Sequence, residues 1–336
     1  MMKRTLVGLS ALLLLLSMGA AGPAAAADKI KVGMLKPNVI SVIYWIAVKT
    51  GAFEKNGLEV EEHPFPSGQT VAGIEQMLRG NIDFYIGAGA EVAHANSESI
   101  EAGAGTPLAI IQGADRGGTY VLLSNKFKGK TFDDLKNEPL RIGISNPSSI
   151  HLVLLRAFLN DRKMTTDDIK WKFLPLQAPD MMPALLSNQL DGYMHDALTA
   201  TLTVDKDIGF VLMTNHDGSM GERLSTVTST AVSANRAFMK KNPDVTKRFI
   251  KALEDASDSF DKEPREKMLA IMAEWTKQDH QMLEGLYARF DPRVTLTEKG
   301  AQTWWEVFGA AMRARKEIGP DVKMSDLFDL SLDPRR

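Results

Sequence analysis

Apolar and polar positions alternate from Lys29 to Leu35, the period of a half-buried strand. From Ser41 to Asn56 the period lengthens: Val42, Trp45, Ile46, Val48 and Phe53 fall on one helical face, and Gly57 supplies the stop. Ile82 to Ile86 is a short apolar run that opens on Gly87-Ala88-Gly89-Ala90, after which Glu91 to Ala102 regains helical spacing. Strand, glycine-rich turn and helix in that order predict crossover connections on a parallel sheet. Further strands are predicted at Leu108 to Gly113, Tyr120 to Ser124, Leu140 to Ser145, Gly192 to His195, Ile208 to Met213 and Thr226 to Ala234. Beyond Asn235 four amphipathic helices follow: Asp244 to Lys262, Pro264 to Lys277, Gln278 to Arg289 and Gly300 to Ile318. Their apolar stripes are expected to pack on the first lobe.

One stretch of this pattern occurs twice. A helix end, the Asn56-Gly57 turn, a strand Leu58 to Phe65 closed by Pro66, and a helix ending Met77-Leu78-Arg79-Gly80-Asn81-Ile82-Asp83 make the first copy. The second has a helix through Phe158 and Leu159, a polar break at Thr165 to Asp168, a strand Ile169 to Leu174 closed by Pro175, and a helix ending Leu185-Leu186-Ser187-Asn188-Gln189-Leu190-Asp191. The two end motifs lie 108 residues apart, from Asp83 to Asp191. Such a duplication predicts two similar α/β lobes facing each other across a cleft, a common setting for a small ligand. Asp115-Arg116-Gly117-Gly118 has the composition of a hinge, so the first lobe is expected over 28–113 and 226–336 and the second over 114–225, after a signal peptide at 1–27.

The amino terminus carries that signal pattern: Lys3 and Arg4, an apolar core from Leu6 to Leu16, and a small-residue tail ending Ala25-x-Ala27, with cleavage expected before Asp28. The apolar core is shorter than the ~20 residues of a spanning helix. With no cysteine in the chain there is no disulfide, thiolate nucleophile or lipid-modified cysteine, so a periplasmic protein that is not a lipoprotein is expected. The formal charge of −2 becomes −4 when Lys3 and Arg4 leave, 38 basic residues against 42 acidic. That balance offers no basic tract for nucleic acid or an anionic membrane.

Catalytic signatures are missing from the sequence. His63, His94, His151, His195, His216 and His280 show no His-Glu-x-x-His or other metal spacing, and there is no phosphate-binding loop or nucleophile elbow. Gly87-x-Gly89 lacks the third glycine of a dinucleotide site. What recurs is a polar or glycine-rich turn between a strand and the next helix: Lys36-Pro37-Asn38, Pro66-Ser67-Gly68-Gln69, Gly87 to Glu91, Asn146-Pro147-Ser148-Ser149 and His195-Asp196. Backbone N–H groups and the positive ends of helices meet there, which favours an anion, although serines at such places also serve as ordinary caps.

Lys31-Val32-Gly33, Gly51-Ala52-Phe53-Glu54-Lys55-Asn56-Gly57-Leu58-Glu59-Val60, Phe65-Pro66-Ser67-Gly68 and Gly80-x-Ile82-Asp83 resemble the solute-binding subunits of ABC importers in the nitrate/sulfonate/taurine and thiamine-precursor (NMT1/THI5-like) family. Thr131 to Lys136, Arg141 to Ser145 and Leu190-Asp191-Gly192 continue the likeness through the second lobe. Where the family usually has a Gly-Lys pair, Asn137-Glu138-Pro139 intervenes. The resemblance implies a two-lobe periplasmic binding protein fold of type II, each lobe a mixed, mostly parallel sheet flanked by helices. It also implies a monomer with no cofactor, a small-molecule ligand, and a membrane permease with its ATPase as partners.

The ligand contacts expected from the turns are Asn38, Tyr44, Trp45, Ser67, Gly68, Gly89 and Glu91 in the first lobe, and Asn146, Ser148, Ser149, His151 and His195 in the second. Tyr44 and Trp45 are adjacent and point about 100° apart on a helix, so one of the two is expected to face the cleft. Trp304 and Trp305 are read as packing of a terminal helix, and Lys36 as solvated. The expected cargo is a small organic anion, sulfonate or carboxylate. The alternatives are a thiamine-precursor pyrimidine or other heteroaromatic, a pyrimidine-synthase-like enzyme, and a sensor subunit.

Overall fold

The computed structural model describes residues 26–66, 69–115, 118–147, 149–228, 230–292 and 296–333. Among the described residues ten strands form two five-stranded sheets. The first holds β1 (Asp28–Leu35), β2 (Leu58–Phe65), β3 (Phe84–Ala88), β4 (Leu108–Gly113) and, last in sequence, β10 (Thr230–Asn235), in the order β2-β1-β3-β10-β4. The second holds β5 (Tyr120–Ser124), β6 (Arg141–Ile144), β7 (Lys172–Pro175), β8 (Gly192–His195) and β9 (Gly209–Thr214), in the order β7-β6-β8-β5-β9. The orders match, and each sheet has one reversed strand in its fourth place: β10 runs antiparallel to β3 and β4, and β5 antiparallel to β8 and β9. Both reversed strands are the first that the chain makes after passing from one sheet to the other.

The duplicated sequence becomes duplicated structure. Thr70–Leu78 and Ala178–Leu186 are both nine-residue helices. Each ends through a left-handed residue, Gly80 at φ 72° and Asn188 at φ 57°, residue types that tolerate that region best. In β1 a Cβ on Gly33 would lie 2.8 Å from the Tyr85 ring, and in β6 a Cβ on Gly143 would lie 3.1 Å from Tyr193. Glycine is thus required at both places for a buried tyrosine two residues beyond the repeated Asp to lie over the sheet.

Alternation along the strands sorts the core into its two faces. Phe84, Ile86, Ala109, Ile111, Tyr120 and Leu122 join one buried cluster, while Tyr85, Leu108, Ile110, Val121 and Leu123 join the other. Each cluster therefore runs from one sheet into the next. Helix Pro243–Lys262 adds Phe249, Ile250, Leu253, Ala256 and Phe260 to the first at helical spacing, with Phe249 stacked on Phe84 at 3.9 Å between ring centres.

Two expectations need correction. The helix expected from Ser41 to Asn56 is broken into Val42–Lys49 and Ala52–Lys55 by Gly51, which takes φ 67°. The carboxy-terminal helices also do not all pack on the first sheet's side. Pro243–Lys262 and Arg265–Thr276 lie against helix Val42–Lys49, but His280–Tyr287 crosses to helix Ala197–Asp205 of the other side, and Trp305–Gly309 lies against helix Ile150–Asp161. Gly285 makes the first of these contacts possible, because a Cβ there would sit 2.7 Å from Thr201. The terminal helices therefore strap the two halves together.

The two strand connections between the sheets are tied to each other. Buried Asp115, just after β4, accepts hydrogen bonds from the Thr228 hydroxyl at 2.8 Å, the Thr230 N–H at 2.9 Å and the Thr230 hydroxyl at 3.0 Å. Nearby, the Thr119 N–H donates to the Asn215 side chain at 3.0 Å. No helix among the described residues is long and apolar enough to cross a membrane, and most of the signal pattern lies outside those residues.

Candidate functional site

A cavity of about 630 Å³ opens between the carboxyl ends of the two sheets. Crossover topology puts the starts of successive helices at that edge, which is why open α/β sheets bind ligands there. The first sheet contributes Gly89, Glu91 and His94, from the turn after β3 and helix Ala90–Glu101, together with Thr70 and Val71 of the helix after β2. The second contributes Ser145 and Asn146 beyond β6, then Ser149, Ile150, His151 and Val153 at the start of helix Ile150–Asp161. A third wall comes from the carboxy-terminal segment: Trp304, Phe308, Met312, Arg315 and Glu317.

Several of these side chains have fixed roles. Ser149 caps its helix, accepting from the Leu152 N–H at 3.4 Å. Gly89 begins helix Ala90–Glu101, and a Cβ on it would meet Trp304 at 3.3 Å, so any larger residue presses on the aromatic wall. Glu91 has a buried carboxylate oxygen, Oε2, without a hydrogen-bond partner. Burial pushes its pKa up, while its own backbone N–H and the neighbouring His94 pull it back. Arg315 gives Nε and Nη2 to Glu317 at 2.6 and 2.7 Å, and its buried Nη1 has no partner.

Behind the second-sheet wall lies a polar pair. His151 Nδ1 is 3.0 Å from the Thr119 hydroxyl, and its ring centre is 5.2 Å from that of His195. Burial, with the charge on His195 adding to it, holds His151 down to about 3, so its ring is neutral at physiological pH. Burial also opposes charge on His195, but the Asp196 carboxylate 3.2 Å away outweighs it and raises that histidine. Asp196 also caps helix Ala197–Asp205, accepting from the Thr199 N–H at 2.9 Å and the Thr199 hydroxyl at 2.8 Å.

Of the expected contacts, Gly89, Glu91, Asn146, Ser149 and His151 come together at this cavity, and His195 lies directly behind His151. Ser67, Gly68 and Ser148 lie outside the described residues. Asn38, Tyr44 and Trp45 are not among the cavity's lining. The Asn38 carbonyl accepts from Trp275 Nε1 at 2.7 Å. Tyr44 is fully buried in the first-sheet core, its hydroxyl donating to Glu62 at 3.0 Å. Trp45 packs on Trp275, with Lys36 and Lys49 over its ring. Neither member of the adjacent aromatic pair therefore reaches the cavity, because the helix that carries them is covered by the terminal helices.

The third wall was not expected as a site. Trp304 packs as read, 3% exposed against Phe308 and Phe328, and the same face lines the cavity. Its signal was the i, i+4, i+8 spacing of Trp304, Phe308 and Met312, which a helix buried against a core shows equally. Away from the cleft, Glu266, His280 and Glu284 could converge on a metal ion, but they sit at the surface and Glu284 already pairs with Arg265.

Paired sheets with matching strand order, a cavity at their carboxyl edges and two chain crossings define a periplasmic binding protein fold. The NMT1-like family profile matches residues 24–276, and the chain belongs to that family. A protein of Brucella abortus strain 2308, named provisionally as a binding protein, is 26% identical over 306 residues, covering 85% of this chain and 88% of the relative. Among solved structures, the periplasmic aliphatic sulphonate binding protein of Escherichia coli superposes with a TM-score of 0.71 at 18% identity, over 91% of this chain and 98% of that one. The periplasmic nitrate-binding protein of Synechocystis PCC 6803 gives 0.65 at 16% identity, over 91% and 87% of the two chains. At these identities the likeness to the solved structures is one of fold.

Proposed function

We propose that this protein is the periplasmic substrate-binding subunit of an ABC importer, and that it captures a small organic anion, a sulfonate or carboxylate, between its two lobes for delivery to a membrane permease. The lobes are 28–113 with 226–336, and 114–225. The observation that carries the reading is the cavity itself, which takes one wall from each sheet and holds Arg315 Nη1 buried without a partner. A buried guanidinium N–H left unpaired costs free energy that an anionic oxygen recovers. Helix Ala90–Glu101 from one side and helix Ile150–Asp161 from the other begin at the same cavity, adding their positive ends. Ser67 and Ser148, expected as contacts from the sequence, remain part of the proposal.

A ligand that bridges both walls stabilises the closed form only by its greater affinity for that form. A second reading, a pyrimidine or related heteroaromatic, draws on the unpaired Glu91 oxygen and the Trp304 and Phe308 wall. Among the described lining residues no serine or threonine hydroxyl is set against a histidine or carboxylate as a nucleophile against its base, which favours binding over catalysis. The test is a thermal-shift screen of the exported protein against alkanesulfonates, aromatic carboxylates, nitrate and pyrimidines. A ligand at a hundred times its dissociation constant adds ~2.7 kcal/mol. An anion that raises the melting temperature supports the reading. A response to neutral pyrimidines alone replaces the cargo and leaves the transport role.

A further inference from the structure

Two residues that line one cavity each carry a buried polar atom without a partner, and the two atoms are of opposite kind. Arg315 Nη1 is a cationic donor, and Glu91 Oε2 belongs to a carboxyl group. They arrive from different parts of the chain: Glu91 from the first turn of helix Ala90–Glu101, Arg315 from just beyond helix Ala310–Ala314. The same cavity has an apolar and aromatic wall of Trp304, Phe308 and Met312, four residues apart along the terminal helix, beside polar Asn146 and His151. Arg315 is also held in place, because Glu317 takes its other two nitrogens in a bidentate pair and leaves Nη1 alone for another acceptor. A plain anion satisfies Arg315 and leaves the Glu91 oxygen without a partner.

We propose that the cavity selects an amphiphilic anion with a second polar end: a carboxylate or sulfonate that pairs with Arg315, an apolar or aromatic body against Trp304 and Phe308, and a hydroxyl or amino group that donates to Glu91. The proposal rests on the binding-protein reading above and narrows its ligand to a class. It makes Arg315 and Glu91 specificity-determining residues, with Glu317 a positioning residue for the guanidinium.

The test uses matched pairs, so that the unknown separation of the two ends does not decide the outcome. Benzoate, phenylacetate and 3-phenylpropionate are compared by calorimetry with their 4-hydroxy derivatives, alongside phenol as the neutral control. At least one hydroxy acid should bind wild-type protein on the order of 10-fold tighter than its parent, the usual effect of satisfying one buried polar group. In Glu91→Leu that hydroxy acid should fall to the affinity of its parent, while Glu91→Gln, which keeps an acceptor, retains part of the difference. Arg315→Met should weaken both acids on the order of 10- to 100-fold, and Arg315→Lys by less. Circular dichroism confirms that each variant folds. Equal binding of every hydroxy acid and its parent, unchanged in Glu91→Leu, overturns the inference and keeps the anion-binding reading. So does a protein that ignores all six acids yet binds a simple alkanesulfonate or nitrate. Failure of every anion in both experiments overturns the two together.

Discussion

Asp83 and Asp191, 108 residues apart, hold corresponding strands in the same way. The Asp83 carboxylate accepts the Lys31 N–H at 2.8 Å, and its own N–H donates to the Lys31 carbonyl at 2.9 Å. Asp191 accepts the Arg141 N–H at 3.0 Å and donates to the Arg141 carbonyl at 2.9 Å. Each therefore pins a strand, β1 at its middle and β6 at its start, to the turn that leads into its neighbour. The copies have diverged in charge. Asp191 also takes the Arg141 guanidinium at 2.9 and 3.2 Å and an ion pair from Lys126, whereas Asp83 has no such pair.

That difference predicts unequal costs for one substitution. At Asp191 burial alone would raise the pKa, but the Arg141 and Lys126 hydrogen bonds outweigh it and hold the carboxyl well below its usual range. At Asp83 burial prevails over the Lys31 contacts and the pKa is raised. A depressed folded pKa contributes stability above the unfolded value of about 4 that is lost as pH falls through the folded value; a raised one costs stability above about 4, and the cost vanishes in acid. Asp191→Asn should therefore cost about 2–3 kcal/mol at neutral pH, and Asp83→Asn under about 1 kcal/mol. Urea denaturation at pH 7 measures both. The gap between the variants should shrink as pH drops below about 4.

Asp115 should behave as the tie between the two crossings. Its three bonds run to Thr228 and Thr230 on the opposite connection, and the carboxylate is almost fully buried. Asp115→Ala leaves the Thr230 hydroxyl and N–H without their acceptor in the interior, at a cost of about 3 kcal/mol, while the Thr228 hydroxyl keeps the Thr230 carbonyl at 2.7 Å; Thr228→Val, which removes a single donor, should cost about 1 kcal/mol. Gly113 adds a second probe of the same spot. A Cβ there would lie 2.9 Å from the Thr228 hydroxyl, so Gly113→Ala should lower the melting temperature although alanine is the better strand residue.

The sheets were legible from sequence because their determinants are local. The repeat kept its glycine or asparagine at 80 and 188 and its aspartate at 83 and 191, each fixed by a backbone requirement that few residue types meet. Gly51 was less legible: it stands within an unbroken apolar period, and only its positive φ shows that the chain turns there. The destination of the carboxy-terminal helices was legible only for the first two, Pro243–Lys262 and Arg265–Thr276. A stripe such as Trp304, Phe308 and Met312 records that a face is covered and carries no mark of which partner covers it or whether a cavity interrupts the contact. Part of the site was found through turn chemistry, since Gly89, Glu91, Asn146, Ser149 and His151 follow strand ends. Arg315 and Glu317 follow a helix end in a chain rich in charged helix surfaces, where nothing local separates a cavity wall from a solvated face.

Export can be checked at one residue. Asp28 opens β1, its N–H donating to the Gly57 carbonyl at 3.0 Å and its carboxylate pairing with Arg248, which also reaches the Asn56 and Gly57 carbonyls at 3.0 and 2.9 Å. Cleavage after Ala27 would leave that whole network intact, and the small-residue rule is met there. Intact-mass measurement of the periplasmic fraction should give a chain starting at Asp28 or within a few residues of it. A mass that retains Met1 contradicts export by this route.

The His151 and His195 rings, 5.2 Å apart, should titrate in opposite senses. His151 is held down to about 3 by burial and by its neighbour, so the unfolded chain gains a proton near pH 6.5 that the folded one refuses, and this residue subtracts stability as pH falls from about 6.5 toward 3. His195 is raised because Asp196 outweighs its burial, so its contribution is fully present below about pH 6.5 and fades as pH rises through the folded value. Imidazole NMR should show His195 losing its proton above its ordinary value while His151 stays neutral through mild acid. Replacing His195 with Gln removes the neighbouring charge, and the His151 titration should then move upward, leaving burial as the main cause of what shift persists. An unmoved His151 signal in that variant would show that the two rings do not share a field. Stability between pH 6 and 8 should also respond: His195→Gln ought to flatten the profile on its alkaline side, because the proton that the folded state binds there is gone.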